Sequence, residues 1–212
     1  MEIIEAEFIE LYSGSGNISN AFLNSGFSTI SIDHNPDLAP NICKDIMKIK
    51  PEEIDADIIW ASPDCSKWSF ASGAKNEFRK ANDQELSEVA LGAIEMIQHT
   101  LNLCKQAKHY WFLENPYHGA LRMHEIMKPY SSRLISYCAY GVPHQKKTMV
   151  WGRFPPSWNP VSHCGHLRHP NIKKHKDAQA RAIVPHMLAE EIKNACLRDN
   201  GKQIPTLFRD WR

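Results

Sequence analysis

Two side chains with reactive chemistry each follow a short apolar run. Cys65 comes after the run at residues 57–60, and Glu114 comes directly after the run at residues 110–113. A thiolate can act as a nucleophile, and a carboxyl group beside it can give or take a proton. Lys67 lies close enough in sequence to favour the thiolate of Cys65. A lone cysteine is also a common small core residue, and a lone glutamate a common surface or capping residue, so neither is decisive alone.

A glycine-rich segment supplies a second kind of site. Gly14 and Gly16 lie between an apolar run and a helical pattern, in the sequence ELYSGSGN. Glycine accepts positive φ angles and lets a ligand approach the backbone, and a helix N-terminus offers free N–H groups. Asp33 follows the second apolar run, roughly 20 residues further on, where dinucleotide-type sites hold a ribose hydroxyl pair. A simple chain reversal and a solvated or capping aspartate are the plainer interpretations.

The elements that must position these residues alternate along the chain up to about residue 152. The apolar periodicity predicts strands at 8–12, 28–32, 57–60, 110–113, 133–140 and 148–151, and helices at 18–23, 84–105 and 187–197. Strand and helix in alternation predict an α/β fold, a mostly parallel sheet with helices on both faces. Ligands of such sheets bind outside the carboxyl ends of the strands, which is where the polar residues above fall.

Composition sets the broad class. The chain has 212 residues, 42% hydrophobic and 23% charged, and a net charge of +1 that neither supports nor excludes a nucleic-acid partner. No apolar run approaches the roughly 20 residues that a membrane span needs, and the acidic start at Met1-Glu2 does not resemble a signal peptide. We therefore expect a cytoplasmic protein without a membrane partner, whose six scattered cysteines are free thiols. The oligomeric state stays open.

The composition changes after Gly152, and three segments are predicted: a catalytic core at 1–152, a short basic insert rich in His and Lys at 153–180, and a C-terminal helix returning to the core at 181–212. The insert carries Lys173, Lys174 and Lys176. A loop that contacts the phosphate backbone of DNA is the favoured interpretation. A solvated loop and a zinc site built from Cys164 and nearby histidines are alternatives, but the spacing fits no standard zinc site and no metal is predicted.

Taken in order, seven segments resemble the motifs of the cytosine-C5 DNA methyltransferases. They are the glycine turn, Asp33-His34, Lys44-Asp45-Ile46, the loop Ser62-Pro63-Asp64-Cys65 with Ser69, Glu114-Asn115, the stretch GVPHQKK at 141–147, and Ile183-Val184-Pro185. The resemblance covers nearly the whole chain. It implies a Rossmann-like methyltransferase fold, S-adenosyl-L-methionine as cofactor, and transfer of a methyl group to C5 of cytosine in DNA through a covalent bond between cysteine and C6.

The resemblance also assigns roles to individual residues. The catalytic candidates are Cys65, Glu114, Asn115 and Lys147. The candidates for cofactor binding are Tyr12, Ser13, Gly14, Gly16, Asn17, Ile18, Asp33, His34, Asp45, Ile46 and Pro63. The candidates for nucleic-acid binding are Lys67, Ser69, Lys173, Lys174 and Lys176.

The chain departs from the family in several places. Asp64 stands where proline usually precedes the cysteine, and an acid there opposes thiolate formation unless it points away. Pro116 follows Glu-Asn where valine is usual, and lysines replace arginines. Residues 153–180 occupy the place of a full target-recognition domain, so the chain is similar to compact bacteriophage members of the family, working in a bacterial or phage-infected host.

Other functions fit the same residues. RNA or a free cytosine nucleotide is an alternative substrate, and a non-catalytic relative that only binds the cofactor is another possibility. The presence of both Cys65 and Glu114 argues against the last, because binding alone needs neither.

Overall fold

The computed structural model describes residues 3–68, 78, 87–165 and 183–199. In these residues seven strands and three α-helices are joined by loops and short 3-10 turns. The strands are β1 (Ile4–Leu11), β2 (Thr29–Asp33), β3 (Ile42–Cys43), β4 (Ile54–Ala61), β5 (Tyr110–Pro116), β6 (Ser132–Ser136) and β7 (Lys147–Arg153). The helices are α1 (Asn17–Leu23), α2 (Glu88–Cys104) and α3 (His186–Asp199).

All seven strands form one sheet in the order β3-β2-β1-β4-β5-β7-β6. The pairs among β1 to β5 are parallel, and β7 runs antiparallel to both β5 and β6. The predicted mostly parallel sheet is therefore confirmed. The sheet brings the carboxyl ends of β1, β2, β4 and β5 to one edge, where polar side chains collect.

Helices cover both faces of the sheet, as predicted. Ile58 packs in the core cluster that contains α1 and α3, whereas its neighbour Ile59 packs in the cluster that contains α2. Successive strand residues point to opposite faces, so a strand buried on both sides has apolar residues throughout. The apolar run Ile58-Ile59-Trp60, each residue fully buried, has this physical origin.

The predicted strand at 133–140 is wrong in its second half. β6 ends at Ser136, which pairs with Lys147, and Tyr137–Tyr140 form a 3-10 turn that ends at Gly141 with φ of 87°. The residues of this turn are apolar because Tyr137, Cys138 and Tyr140 are buried against the rest of the fold and not because they pair in the sheet.

Helix boundaries follow local capping. α2 begins after Ser87, whose side chain accepts a hydrogen bond from the Ala90 N–H group. The predicted start at 84 lies outside the described residues. α3 follows Pro185 and packs against α1. No helix in the described part of the chain is long and apolar enough to cross a membrane.

Candidate active site

The strand register places the predicted site residues at one edge of the sheet. Leu11 at the end of β1 pairs with Ile32 of β2 on one side and with Ala61 of β4 on the other. Ala61 in turn pairs with Leu113 of β5. The glycine turn, Asp33, the loop that carries Cys65, and Glu114 all follow these paired residues directly, so the fold gathers them in a single region.

The glycine turn has the backbone geometry that its sequence predicts. Gly14 has φ of 52°, and Gly16, which precedes α1, has φ of 67°. The Gly14 N–H group donates a hydrogen bond of 3.1 Å to Oδ2 of Asp33. A Cβ atom built at Gly14 meets nothing within 4 Å, so the space beside the turn is open to a ligand.

Asp33 is 6% exposed and is held by its own chain. Its Oδ1 atom accepts a hydrogen bond of 2.9 Å from the Asn35 N–H group and lies 3.4 Å from Nδ1 of His34, a side chain that is 78% exposed. Each carboxylate oxygen can accept two hydrogen bonds, so this arrangement fixes the carboxylate and still leaves it able to accept from a ligand hydroxyl.

Tyr12 directly precedes the turn, and both its side chain and its backbone are held in a defined conformation. Its hydroxyl lies 2.8 Å from Oγ1 of Thr100, and its backbone has φ of 57°, unusual for a residue with a side chain. Burial is the main cause that raises the pKa of Tyr12 to about 12. The ring is therefore a neutral, rigid wall of the site at physiological pH.

Two cofactor candidates in the motif Lys44-Asp45-Ile46 have different surroundings. Asp45 is exposed, and its Oδ1 atom accepts a hydrogen bond of 3.0 Å from the Met47 N–H group. Ile46 is 2% exposed and its side chain packs in the core. A side-chain contact between Ile46 and a ligand does not fit this placement, whereas the contact assigned to Asp45 remains a prediction.

The segment at 183–185 returns to the glycine turn. Asn17 Nδ2 donates a hydrogen bond of 2.8 Å to the Val184 carbonyl oxygen. Ser13 and Ile18 are buried, and so is Pro63 on the loop after β4. The last motif of the resemblance therefore lies next to the first, although 167 residues separate them.

Glu10 is a site residue that the sequence reasoning did not single out. It is 3% exposed, and its Oε2 atom accepts hydrogen bonds from the Ser19 N–H group (2.8 Å) and hydroxyl (2.5 Å) at the start of α1. Burial, with a smaller contribution from Asp33, raises its pKa to about 7, although the two bonds from Ser19 act in the opposite direction. A glutamate inside an apolar strand was the available signal.

Cys65 is half-buried at the start of a turn closed by the hydrogen bond from the Trp68 N–H group to the Cys65 carbonyl, 3.1 Å. Burial raises the pKa of its thiol, and the carboxylates of Glu114 and Asp64 raise it further, whereas Lys146 lowers it. The expected opposition from Asp64 is thus present. The expectation that Lys67 favours the thiolate is corrected. The Lys67 side chain is exposed, and Lys146 is the cation that lowers the pKa of the thiol.

Glu114 is 6% exposed and is held through one oxygen. Its Oε1 atom accepts hydrogen bonds from the hydroxyls of Tyr137 (3.2 Å) and Thr148 (3.0 Å), and Nζ of Lys146 lies 3.6 Å away. The same ammonium lies 4.3 Å from the centre of the Tyr137 ring. Two hydroxyl donors and a cation at one oxygen hold the carboxyl group in a fixed orientation.

The structure places Lys146, and not the predicted Lys147, beside Glu114. Lys147 begins β7, where side chains alternate between the two faces of the sheet. Lys146 and Thr148 therefore reach Glu114 from the same side, and Lys147 between them points to the other. Which lysine of the pair approaches the carboxylate depends on the strand register and could not be read from the sequence.

Asn115 joins the two halves of the site. Its Nδ2 atom donates a hydrogen bond of 3.2 Å to the Pro63 carbonyl, which anchors the Cys65 loop to the end of β5. Asn115 is 1% exposed, and its Oδ1 atom has no hydrogen-bond partner in the described part of the chain. This buried acceptor is left available at the site.

The structure describes one of the five nucleic-acid candidates. Lys67 is exposed on the Cys65 loop. The others, Ser69, Lys173, Lys174 and Lys176, lie outside the described residues. Within residues 3–68, 78, 87–165 and 183–199, no three histidine, cysteine or acidic side chains are grouped as a metal site.

Comparison with known proteins identifies the fold. No family model and no curated protein sequence matches the chain. The structure of the methyltransferase EhMeth from Entamoeba histolytica is similar, with a TM-score of 0.50 and 15% identity over 84% of this chain and 60% of that one. The Dnmt2 methyltransferase of S. pombe aligns with a TM-score of 0.44 and 16% identity over 77% of this chain and 51% of that one.

The chain thus spans about 60% of the length of the EhMeth structure. This likeness, together with the strand order, establishes a Rossmann-like methyltransferase fold.

Proposed function

We propose that the chain is an S-adenosyl-L-methionine-dependent methyltransferase that acts on C5 of cytosine in DNA, with Cys65 as a transient covalent nucleophile. One observation carries the proposal. On a methyltransferase fold, a half-buried thiol lies on the loop after β4 and a fixed carboxyl group lies near the carboxyl end of the adjacent parallel strand β5, close to an open glycine turn.

The residues around the turn fit the cofactor. The open space at Gly14, the fixed carboxylate of Asp33 and the N–H groups at the start of α1 suit a ligand with a ribose and a charged amino-acid tail. Asp45 is the residue proposed to meet the adenine amino group. When bound, S-adenosylmethionine supplies a methyl group activated on a sulfonium.

Cys65 has to overcome the weak nucleophilicity of C5 in cytosine. Addition of its thiolate to C6 gives the ring enamine character, and C5 can then attack an electrophilic methyl group. Removal of the C5 proton by a base allows the Cys65 sulfur to leave and restores the aromatic ring. The thiol is regenerated, so the cysteine is a catalyst and is not consumed.

Glu114 is proposed to face N3 of the base. Its Oε1 atom is occupied by Tyr137, Thr148 and Lys146, so Oε2 is the atom left for the substrate. A carboxyl group there offsets the charge that develops on the ring during addition of the thiolate. Asn115, with its available Oδ1 atom, is proposed to complete this contact.

The electrostatics couple substrate binding to activation of the nucleophile. The charge of Glu114 raises the pKa of Cys65 in the absence of a base. A proton taken up from water on binding and shared between Glu114 and N3 of cytosine diminishes that charge, and Lys146 then favours the thiolate more effectively. Cys65 therefore becomes a better nucleophile when the correct base is in place.

DNA is the proposed substrate, and residues 163–181 are proposed to contact its backbone in place of a recognition domain, as in a compact, bacteriophage-like enzyme. In duplex DNA the cytosine must first leave the base stack, which costs a few kcal/mol. RNA and free cytosine nucleotides are the alternatives, because a short insert provides few groups to read a sequence.

Methyl transfer to defined substrates tests the proposal. The protein is incubated with tritiated S-adenosylmethionine and, separately, duplex DNA, single-stranded DNA, RNA and dCMP. We expect tritium in DNA with the wild type and with Cys43→Ser, an exposed thiol outside the proposed chemistry, and none with Cys65→Ser. Transfer to RNA or dCMP at the highest rate would replace the substrate. Normal turnover by Cys65→Ser would contradict the mechanism.

A further inference from the structure

Two thiols away from the active site contact each other. Cys138 lies in the 3-10 turn after β6 and is 3% exposed, and its side chain is hydrogen-bonded to that of Cys164. The Ser136 hydroxyl lies 3.2 Å from Sγ of Cys138 on the same side of the turn. Cys164 is half-buried and lies within the basic insert at 153–180.

The backbone around the two thiols is fixed by hydrogen bonds. The Ser136 N–H group donates to the Val161 carbonyl at 3.0 Å, and the Val161 N–H group donates to the hydroxyl of Tyr140 at 2.8 Å. Residues 136–140 and 161–164 therefore run beside each other, and the proximity of the thiols follows from this pairing of segments.

The other buried thiols have different surroundings. Cys104 and Cys196 lie in the core clusters on opposite faces of the sheet, so the sheet separates their thiols and they cannot react with each other. No third metal-ligating side chain is grouped with Cys138 and Cys164 in the described residues. The reaction that two adjacent thiols can complete by themselves is formation of a disulfide.

We propose that Cys138 and Cys164 form a reversible dithiol–disulfide site that reacts with small-molecule disulfides. Cys164, the more exposed thiol, attacks one sulfur of the small disulfide as a thiolate and displaces the first small thiol. Cys138 then attacks the sulfur of Cys164 and displaces the second. The two protein thiols lose two electrons and two protons, and the small disulfide is reduced to two thiols.

The cross-link would join the insert to the active site. It ties residues 161–164 to the turn that begins at Tyr137, whose hydroxyl donates to Glu114. Oxidation thus fixes the first residues of the segment proposed to contact DNA. Formation of the disulfide itself does not depend on the proposed methyl transfer, so the two can fail separately.

Thiol counting on the full-length protein tests the site. The native protein is equilibrated in glutathione buffers of increasing oxidised fraction, quenched with acid and alkylated after denaturation. We expect the count of reduced thiols to fall from six, the cysteine content of the chain, to four, and dithiothreitol to restore six. Mass spectrometry should find one peptide pair linked through Cys138 and Cys164.

Matched variants make the result specific. Cys164→Ser should lose the linked peptides, whereas Cys43→Ser should retain them and show five thiols falling to three. An unchanged count in fully oxidised glutathione would overturn the proposal. So would glutathione remaining on Cys164 without the link, or a link that forms only in denaturant.

Discussion

Replacing Glu10 by glutamine should change how the stability of the protein depends on pH. The carboxyl group is buried against the start of α1, and burial raises its pKa from 4.5 to about 7. Between these two values the folded protein binds more protons at Glu10 than the unfolded protein does. The stabilisation is therefore fully present below pH 4.5 and is lost as the pH rises through 7.

The size of the effect follows from the pKa. Each pKa unit corresponds to about 1.4 kcal/mol, so the rise from 4.5 to about 7 amounts to about 3 kcal/mol. Most of it, about 2.5 kcal/mol, is lost between pH 5 and pH 8. Glutamine keeps an oxygen that can accept both hydrogen bonds from Ser19 but does not titrate, so the variant should lack this loss.

Urea unfolding at pH 5, 6, 7 and 8, followed by circular dichroism, measures the difference. The free energy of unfolding of wild type should fall relative to that of Glu10→Gln by about 2.5 kcal/mol across this range. Glu5→Gln, which removes an exposed carboxyl group from the same strand, controls for the change in charge. Parallel pH profiles for wild type and Glu10→Gln would refute the assignment of a buried, proton-binding carboxyl group.

Three further perturbations follow from the geometry. Gly152→Ala should lower the stability by about 3 kcal/mol in thermal unfolding, because the new Cβ would lie 1.9 Å from the carbonyl oxygen of Trp111 on the neighbouring strand β5. Gly92→Ala, in open space on α2, should instead stabilise by about 1 kcal/mol, and equal effects would contradict this reasoning. Asp64→Asn removes a charge that raises the pKa of Cys65, so alkylation of this thiol by iodoacetamide should accelerate at neutral pH; an unchanged rate would show that the acid does not act on the thiol. Asp33→Ala should weaken S-adenosylmethionine binding in calorimetry, and unaltered affinity would remove the proposed ribose contact.

Much of the fold could be predicted from the sequence because burial on both faces leaves a strong signal. The runs that became β4 and β5 are apolar throughout, and the polar residues that end them mark the edge of the sheet. β3, with two residues, is too short to give a pattern. The stretch 137–140 is apolar for tertiary reasons, and periodicity alone cannot distinguish such a turn from a strand.

The motifs indicate which residues come together at the edge of the sheet, but they do not determine all the contacts among them. Cys65 and Glu114 are brought to adjacent strand ends because parallel strands share an edge. The choice between Lys146 and Lys147 depends on the register of β7, and the help expected from Lys67 depends on where an exposed side chain points. Glu10 was passed over because its one sequence signal is a glutamate inside an apolar strand, and its partner Ser19 on α1 cannot be inferred from a local pattern.

Covalent trapping tests the central claim most directly. A duplex that carries 5-fluorocytosine should form a species resistant to denaturing electrophoresis with the wild-type protein and S-adenosylmethionine, because fluorine at C5 blocks the elimination that releases Cys65. The trapped peptide should contain Cys65, and Cys65→Ala should form no such species. Methylation of ordinary DNA without trapping, or trapping that persists in Cys65→Ala, would contradict the account.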